Sequence, residues 1–268
     1  MKTFELNNKQ HIPAVGFGVF MIPNDGPTYD ATLAALKAGY RHIDTAAGYM
    51  NESDVGKAIK DSGIDRQDIF ITSKLWLQDY GYENAKKGIE NSLRLLGVDY
   101  IDLYLLHQPY GDYLGAWKAL EEAYEEGKLK SIGISNITVN LWNQFKDGMK
   151  VMPAVNQVEF NPFVQQRELR KVMDENHILL EAWYPLGHGN KELLENPVIC
   201  ELADKYHKNA GQIILRWIYQ EGVISLPKST NPERMKGNID IFDFELNAQE
   251  MEKMRALDTG KPTHNPED

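Results

Sequence analysis

Eight short apolar runs, each followed by a longer amphipathic stretch, constrain this chain more than anything else in it. The runs fall at 15–17, 41–44, 69–73, 101–106, 131–134, 155–158, 179–182 and 223–226. Their length and their Ile, Val and Leu content read as buried strands, and the stretches between them carry helical periodicity. In one of these, Ala85, Ile89, Leu93 and Leu96 recur at spacings of three and four, with Lys86, Lys87 and Arg94 off the stripe and Gly97 closing it. Trp117, Leu120 and Tyr124, closed by Gly127, repeat the pattern, and Thr28 or Asp30 is expected to cap the first helix. Eight strand-then-helix units in this order predict an α/β chain closed into a (β/α)8 TIM barrel rather than an open doubly wound sheet. Before the first unit, 4–6 and 11–12 read as a β-hairpin capping one end of the barrel. Its turn is assigned to Asn7 and Asn8, which tolerate left-handed geometry. Extra helices are expected at 197–207 and 247–257. No Pro-, Ser- or Gly-rich linker interrupts the alternation, so 1–268 reads as a single domain.

Charge and residue usage remove several function classes. A net charge of −10 argues against general nucleic-acid binding, which needs clustered Lys and Arg to neutralise phosphates. No run approaches the length of a membrane span, and the opening Met1-Lys-Thr-Phe-Glu-Leu is no signal peptide. A soluble, cytoplasmic protein, monomeric and without membrane partners, is the expectation. Cys200 is the only cysteine, which excludes an internal disulfide, and it is expected at a helix core position. The seven histidines form neither a His-Glu-x-x-His nor a His-x-His pair, so no metal is predicted. Gly16-Phe-Gly18 continues as Val-Phe-Met, which is not a Rossmann fingerprint, and there is no Gly-Lys-Ser phosphate loop.

Two constellations carry the chemistry. Asp44, Tyr49, Lys74 and His107 each stand at or just past the end of a strand, the edge where barrels collect their catalytic groups. Taken singly, Lys74 is an ordinary strand-end lysine, His107 a satisfied histidine and Asp44 a loop cap. Three consecutive strands delivering them to one rim is what favours a joint role. Asp44 can fix Lys74, and an ammonium beside Tyr49 is expected to lower the phenol pKa and make it a general acid. His107 can donate to a substrate carbonyl oxygen. The group suits addition of hydride and a proton to a carbonyl. After the last strand, Leu226-Pro-Lys228-Ser229-Thr230 precedes Asn231-Pro232, which reads as a helix start placing Arg234 and Asn238 on one face. Lysine, arginine and helix N-terminal amides together suit a phosphomonoester.

Three motifs, Gly39-Tyr-Arg-His-Ile-Asp44-Thr-Ala with Tyr49, Asn51-Glu52 and Gly56, then Lys130-Ser-Ile-Gly-Ile-Ser135-Asn136, then Leu226-Pro-Lys-Ser with Arg234 and Gly237-Asn238, resemble the aldo-keto reductase superfamily along almost the whole chain. The chain looks most like the short bacterial members, including the 2,5-diketo-D-gluconate reductase-like branch. The resemblance implies NADPH-dependent reduction of a small-molecule aldehyde or ketone, with Asp44, Tyr49, Lys74 and His107 as the catalytic tetrad and Tyr49 as proton donor. It implies that Ser135, Asn136 and Gln157 hold the nicotinamide carboxamide. Trp183 and Leu186 also contact the cofactor, and Lys228, Ser229, Arg234 and Asn238 take the adenosine end with its 2′-phosphate.

Departures from the family pattern lie mostly on the substrate side. Trp183-Tyr184 stand where a tyrosine and a serine are frequent, Gln108 where a tryptophan is, and Ile137 where an aromatic is. Trp183 can still stack on nicotinamide, and Tyr184 bears on the cofactor channel. Gln108 and Ile137, with the short loop Gly187-His-Gly-Asn190 and a short tail after Leu257, imply an open, less aromatic pocket formed by Phe20, Met21, Trp76, His107, Gln108 and Tyr110, suited to small or polar carbonyl compounds. Two rival readings stand beside this one. An NADPH-binding, redox-sensing subunit would keep the cofactor residues without significant turnover. A cofactor-free isomerase or hydrolase would use Asp44 and Glu159 as acid and base, leaving the cluster from Lys228 to Asn238 without work.

Overall fold

The computed structural model describes residues 2–267. An antiparallel hairpin, β1 (Thr3–Glu5) and β2 (His11–Pro13), precedes eight parallel strands. These are β3 (Phe17–Gly18), β4 (His42–Asp44), β5 (Phe70–Leu75), β6 (Leu103–Leu106), β7 (Ile132–Ser135), β8 (Val155–Glu159), β9 (Leu179–Trp183) and β10 (Ile224–Ser225). They pair in sequence order from β3 to β10. A parallel bridge between Val15 and Ser225 joins the two ends, so the sheet closes on itself. All eight predicted strands are present within two residues of their expected bounds, because every run is buried on both faces and only a parallel sheet shielded by helices accommodates that.

Closure depends on Gly16. A Cβ there would stand 2.6 Å from His42 Nδ1 and 2.7 Å from Leu226 Cδ2, so the first strand can approach its neighbours only without a side chain. Gly56 does the same for the outer layer, where a Cβ would meet the Leu96 carbonyl oxygen at 2.2 Å and push the helix Glu52–Asp61 off the helix Tyr82–Leu96. That second helix buries Ala85, Ile89, Leu93 and Leu96 as its periodicity predicts, and Gly97 ends it in the left-handed conformation. Extra helices occur at Pro197–Tyr206 and Ala248–Arg255.

The hairpin plugs the N-terminal end of the barrel. Leu6 and Ile12 pack there with Phe70, Leu103, Leu105, Val155 and Ile224 in one apolar cluster. Asn7 Nδ2 donates to the Pro153 carbonyl at 2.9 Å and Asn8 Nδ2 to that of Lys130 at 2.9 Å, tying the turn to the barrel floor. The left-handed residue of that turn is Lys9 (φ 72°), not either asparagine. Neither Thr28 nor Asp30 caps the first helix, Pro27–Ala38. Thr28 lies inside it, with its hydroxyl donating to the carbonyls of Ile22 and Pro23, and the cap position is Gly26. Cys200 is half-buried rather than a core residue. Ile199, Leu202 and Ala203 fill the inner face of its helix.

Candidate active site

Above the apolar plug the lumen turns polar. His42 and Asp44 come from β4, Thr72 and Lys74 from β5, Gln157 from β8 and Glu181 from β9, all buried. Inward-facing positions recur every second residue along a strand, so these pairs stack in layers across the barrel. Lys74, completely buried, uses its ammonium three ways: to Asp44 Oδ1 at 2.7 Å, to the Thr45 carbonyl at 2.9 Å and to the Tyr49 hydroxyl at 3.3 Å. Asp44 Oδ2 accepts from Gln157 Nε2 at 2.9 Å, and the same nitrogen donates to Glu181 Oε2 at 2.7 Å. Tyr49 sits on a single helical turn, Ala47–Tyr49, held in place by Asn51, whose side chain bonds to Thr45, Val19 and Thr28.

Burial opposes the Lys74 charge, but Asp44, Tyr49 and Glu181 beside it outweigh burial and hold its pKa above the ordinary lysine value. Burial pushes the Asp44 carboxyl up, against the pull of Lys74 and Gln157. The expected lowering of the Tyr49 pKa does not occur. Burial of the phenol raises it, and Lys74, whose charge is shared with Asp44, offsets only part of that. Tyr49 is therefore a neutral phenol that retains its proton at physiological pH. His107, 8 % exposed, is held well below the usual imidazole range by burial and by Lys74. It is neutral, with one ring N–H to give. Its ring meets Tyr49 edge-on at 5.5 Å and Trp76 at 4.9 Å, and Phe20 packs on Tyr49 at 5.0 Å.

A cavity of 1150 Å³ opens over this floor. Asp44, Tyr49 and His107 line it, while Lys74 lies behind Tyr49 and acts on the cavity through it. Every expected cofactor residue lines it: Ser135, Asn136, Gln157, Trp183, Leu186, Lys228, Ser229, Arg234 and Asn238. Gln157, however, has its amide nitrogen committed to two carboxyl groups, which leaves only its oxygen free, and Ser135 Oγ donates to the Gln157 carbonyl at 2.8 Å. At the far end Asn231 caps the helix Pro232–Ile239 by accepting from Glu233 and Arg234 N–H. Lys228 and Arg234 are exposed there, and neither has an ion-pair partner among the described residues.

Phe20, Trp76 and Gln108 face the cavity from the substrate side, but Tyr110 and Met21 do not line it. Met21 is 70 % exposed at the rim, and the Tyr110 hydroxyl donates to the Pro266 carbonyl at 2.9 Å, anchoring the tail. Glu159 is a second anchor. Its Oε2 accepts from the Thr263 N–H at 2.7 Å and hydroxyl at 2.9 Å, which commits that oxygen to the tail. The tail thereby carries His264 into the cavity wall.

The indole N–H of Trp183 fixes the polarity of the substrate side. Being a donor only, it requires the oxygen of Asn136 as acceptor, and it donates to Oδ1 at 2.9 Å. The Asn136 nitrogen must then donate, and it does so to Gln108 Oε1 at 3.2 Å. Gln108 Nε2 is left as a donor facing the cavity. Sequence reasoning missed this relay, along with His188, Asn209 and His264 in the cavity wall. Asn209 was findable as a cap before Ala210-Gly-Gln212, whereas His188, in the single 3-10 turn Gly187–Gly189, and His264, in the tail, belong to segments too short or irregular to show periodicity.

Among the described residues no group of three or more His, Cys, Asp or Glu could hold a metal ion, and no helix is long and apolar enough to cross a membrane. The family model described as the aldo/keto reductase family matches residues 15–259. Glyoxal reductase from Bacillus subtilis is 46 % identical over 256 residues, covering 95 % of this chain and 92 % of that one. Among solved structures, an aldo-keto reductase enzyme from a Medee basin deep-sea metagenome library superposes with a TM-score of 0.95 at 43 % identity, covering 97 % of each chain. A Bombyx mori aldo-keto reductase in complex with NADP gives 0.91 at 32 % identity, covering 97 % of this chain and 94 % of that one.

Proposed function

The chain belongs to the aldo/keto reductase family, and we propose that it reduces small aldehydes or ketones with NADPH, Tyr49 giving the proton. One observation carries the reading: a protonated phenol at the cavity floor, hydrogen-bonded to a lysine whose other two bonds go to Asp44 and a backbone carbonyl. The shape and charge of the cavity suit the cofactor, since its far end offers two cations without ion-pair partners among the described residues and a helix N-terminus where a 2′-phosphate would be held. Bound there, NADPH supplies the hydride.

The residues of the chain do the rest. A carbonyl oxygen seated between Tyr49 and His107 accepts hydrogen bonds from both, which polarises the carbon and stabilises the charge that grows on oxygen. As that charge develops, Tyr49 passes its proton to the oxygen, and Lys74 stabilises the phenolate left behind. Asp44 keeps Lys74 in place and charged. Trp76 and Phe20 exclude water from the substrate side.

Gln108 Nε2 adds a donor beside the reacting carbonyl, which favours substrates with a second acceptor oxygen next to it. The relative named glyoxal reductase is consistent with that preference. The test is a panel of simple aldehydes, ketones, α-dicarbonyls and sugars, followed by loss of NADPH absorbance. Turnover with at least one small carbonyl is expected. Tight NADPH binding with no turnover on any member overturns the reading in favour of a redox-sensing subunit.

A further inference from the structure

Glu181 is a buried carboxyl for which the proposed chemistry has no use. It is fully buried on β9 and faces His42, Asp44, Tyr49 and Lys74 across the lumen. The cationic hydrogens there are already taken, since Lys74 donates to Asp44, Thr45 and Tyr49 and makes no bond to Glu181. Glu181 Oε2 receives one neutral amide hydrogen, from Gln157, and Oε1 has no hydrogen-bond partner. The nearest basic group to Oε1 is His42 Nε2 at 3.7 Å. His42 is itself neutral, because burial and the Lys74 charge push its pKa down to about 3.

Two carboxylates and one ammonium would leave this buried layer with a net negative charge and an orphaned anionic oxygen. A buried carboxyl in that position takes up a proton instead. Asp44 cannot be its main holder, because both its oxygens accept short hydrogen bonds, one of them from an ammonium.

We propose that Glu181 is a positioning residue that carries a proton at neutral pH, its neutral carboxyl holding the Gln157 amide against Asp44 so that the whole charge of Lys74 serves Asp44 and Tyr49. The proton sits on Oε1, the oxygen facing His42. Burial, reinforced by the Asp44 charge, pushes the Glu181 pKa up to about 8, so the device switches off in mildly alkaline solution. Loss of that proton places a second anion near Lys74 and raises the Tyr49 pKa further, making the phenol a weaker acid.

The inference rests on Tyr49 as proton donor for its functional half only. Infrared difference spectra of the cofactor-free protein between pH 6 and pH 9.5 test the proton directly and need no turnover. The wild type should lose a protonated-carboxyl stretch that Glu181→Gln lacks, and its absence from the wild type at pH 6 overturns the proposal. Kinetics test the consequence. Glu181→Ala should lower kcat about tenfold or more, less than the roughly 10²–10⁴-fold that loss of an acid–base group itself costs. Glu181→Gln, which mimics the neutral acid, should restore most of that at pH 6 and should keep it through pH 9, where the wild type declines. A Gln variant as impaired as Ala at pH 6, or one with the wild-type alkaline decline, overturns it. If the infrared band is found and no carbonyl is reduced by any form, the reductase reading has failed and the protonated Glu181 has not.

Discussion

The floor of the cavity and its far rim both carry a lysine charge, yet they are built on opposite principles. At the floor, Lys74 is sealed from solvent and every ammonium hydrogen has a partner. At the rim, Lys228 and Arg234 stand in solvent without ion-pair partners among the described residues. A buried charge must be paired before any ligand arrives, because leaving it unpaired costs several kcal/mol. An exposed charge is stabilised by water and can wait. The floor is therefore preorganised for a reaction and the rim is poised for recognition, so substitutions should separate along that line.

On this contrast the largest effect belongs to Tyr49→Phe, which should lower kcat by about 10²–10⁴-fold. NADPH affinity, read by fluorescence titration, should move less than about twofold, since the lost bond is made to the substrate oxygen. Retained turnover would dissolve the distinction. Next comes Lys74→Met, which leaves Asp44 buried without its cation. Urea unfolding at pH 7 should show a loss of about 3–5 kcal/mol, and an unchanged midpoint would mean that the floor is not held by charge pairing. Lys228→Ala should leave the urea midpoint nearly untouched while weakening NADPH about tenfold, as expected for one charge-assisted contact. NADH should change little, and equal losses for both would remove the 2′-phosphate from the rim. The smallest effect is that of Gln108→Leu, which should reduce the preference for an α-dicarbonyl over a simple aldehyde of equal size by about fivefold, the worth of one neutral hydrogen bond.

Stability should also follow the floor. His42 is neutral in the fold with a pKa near 3, while an unfolded histidine titrates near 6.5. Its contribution is fully present above pH ~6.5 and is lost as pH falls toward 3, because only the unfolded chain takes up the proton in that window. Thermal unfolding between pH 7 and pH 4 measures it, and His42→Asn should flatten the slope.

Much of this was legible in the chain. The barrel order followed from eight strand-length runs, and Asp44, Lys74 and His107 reached one rim because consecutive parallel strands end together. Asn231-Pro232 announced its helix through local capping chemistry alone. What misled was reasoning that stopped at a pair. Tyr49 beside Lys74 suggested a depressed pKa, but the ammonium is shared and burial outweighs it. Tyr110 looked like a pocket residue until its hydroxyl proved to be an anchor for Pro266, far along the chain.

The sequence by itself determined the closed barrel, the strand ends that carry Asp44, Lys74 and His107, and the basic turn after β10. Those features depend on periodicity and on capping, which act over a few residues. Only the tertiary structure decided that the lumen is apolar below and polar above, and that Gln157 bridges Asp44 to Glu181. It also decided that a donor-only indole sets the direction of the Asn136 and Gln108 amides, and that the tail, anchored to Tyr110 and Glu159, brings His264 into the cavity wall. Each of these depends on which groups must share hydrogens once water is excluded. That allocation is made between strands, where no local pattern records it.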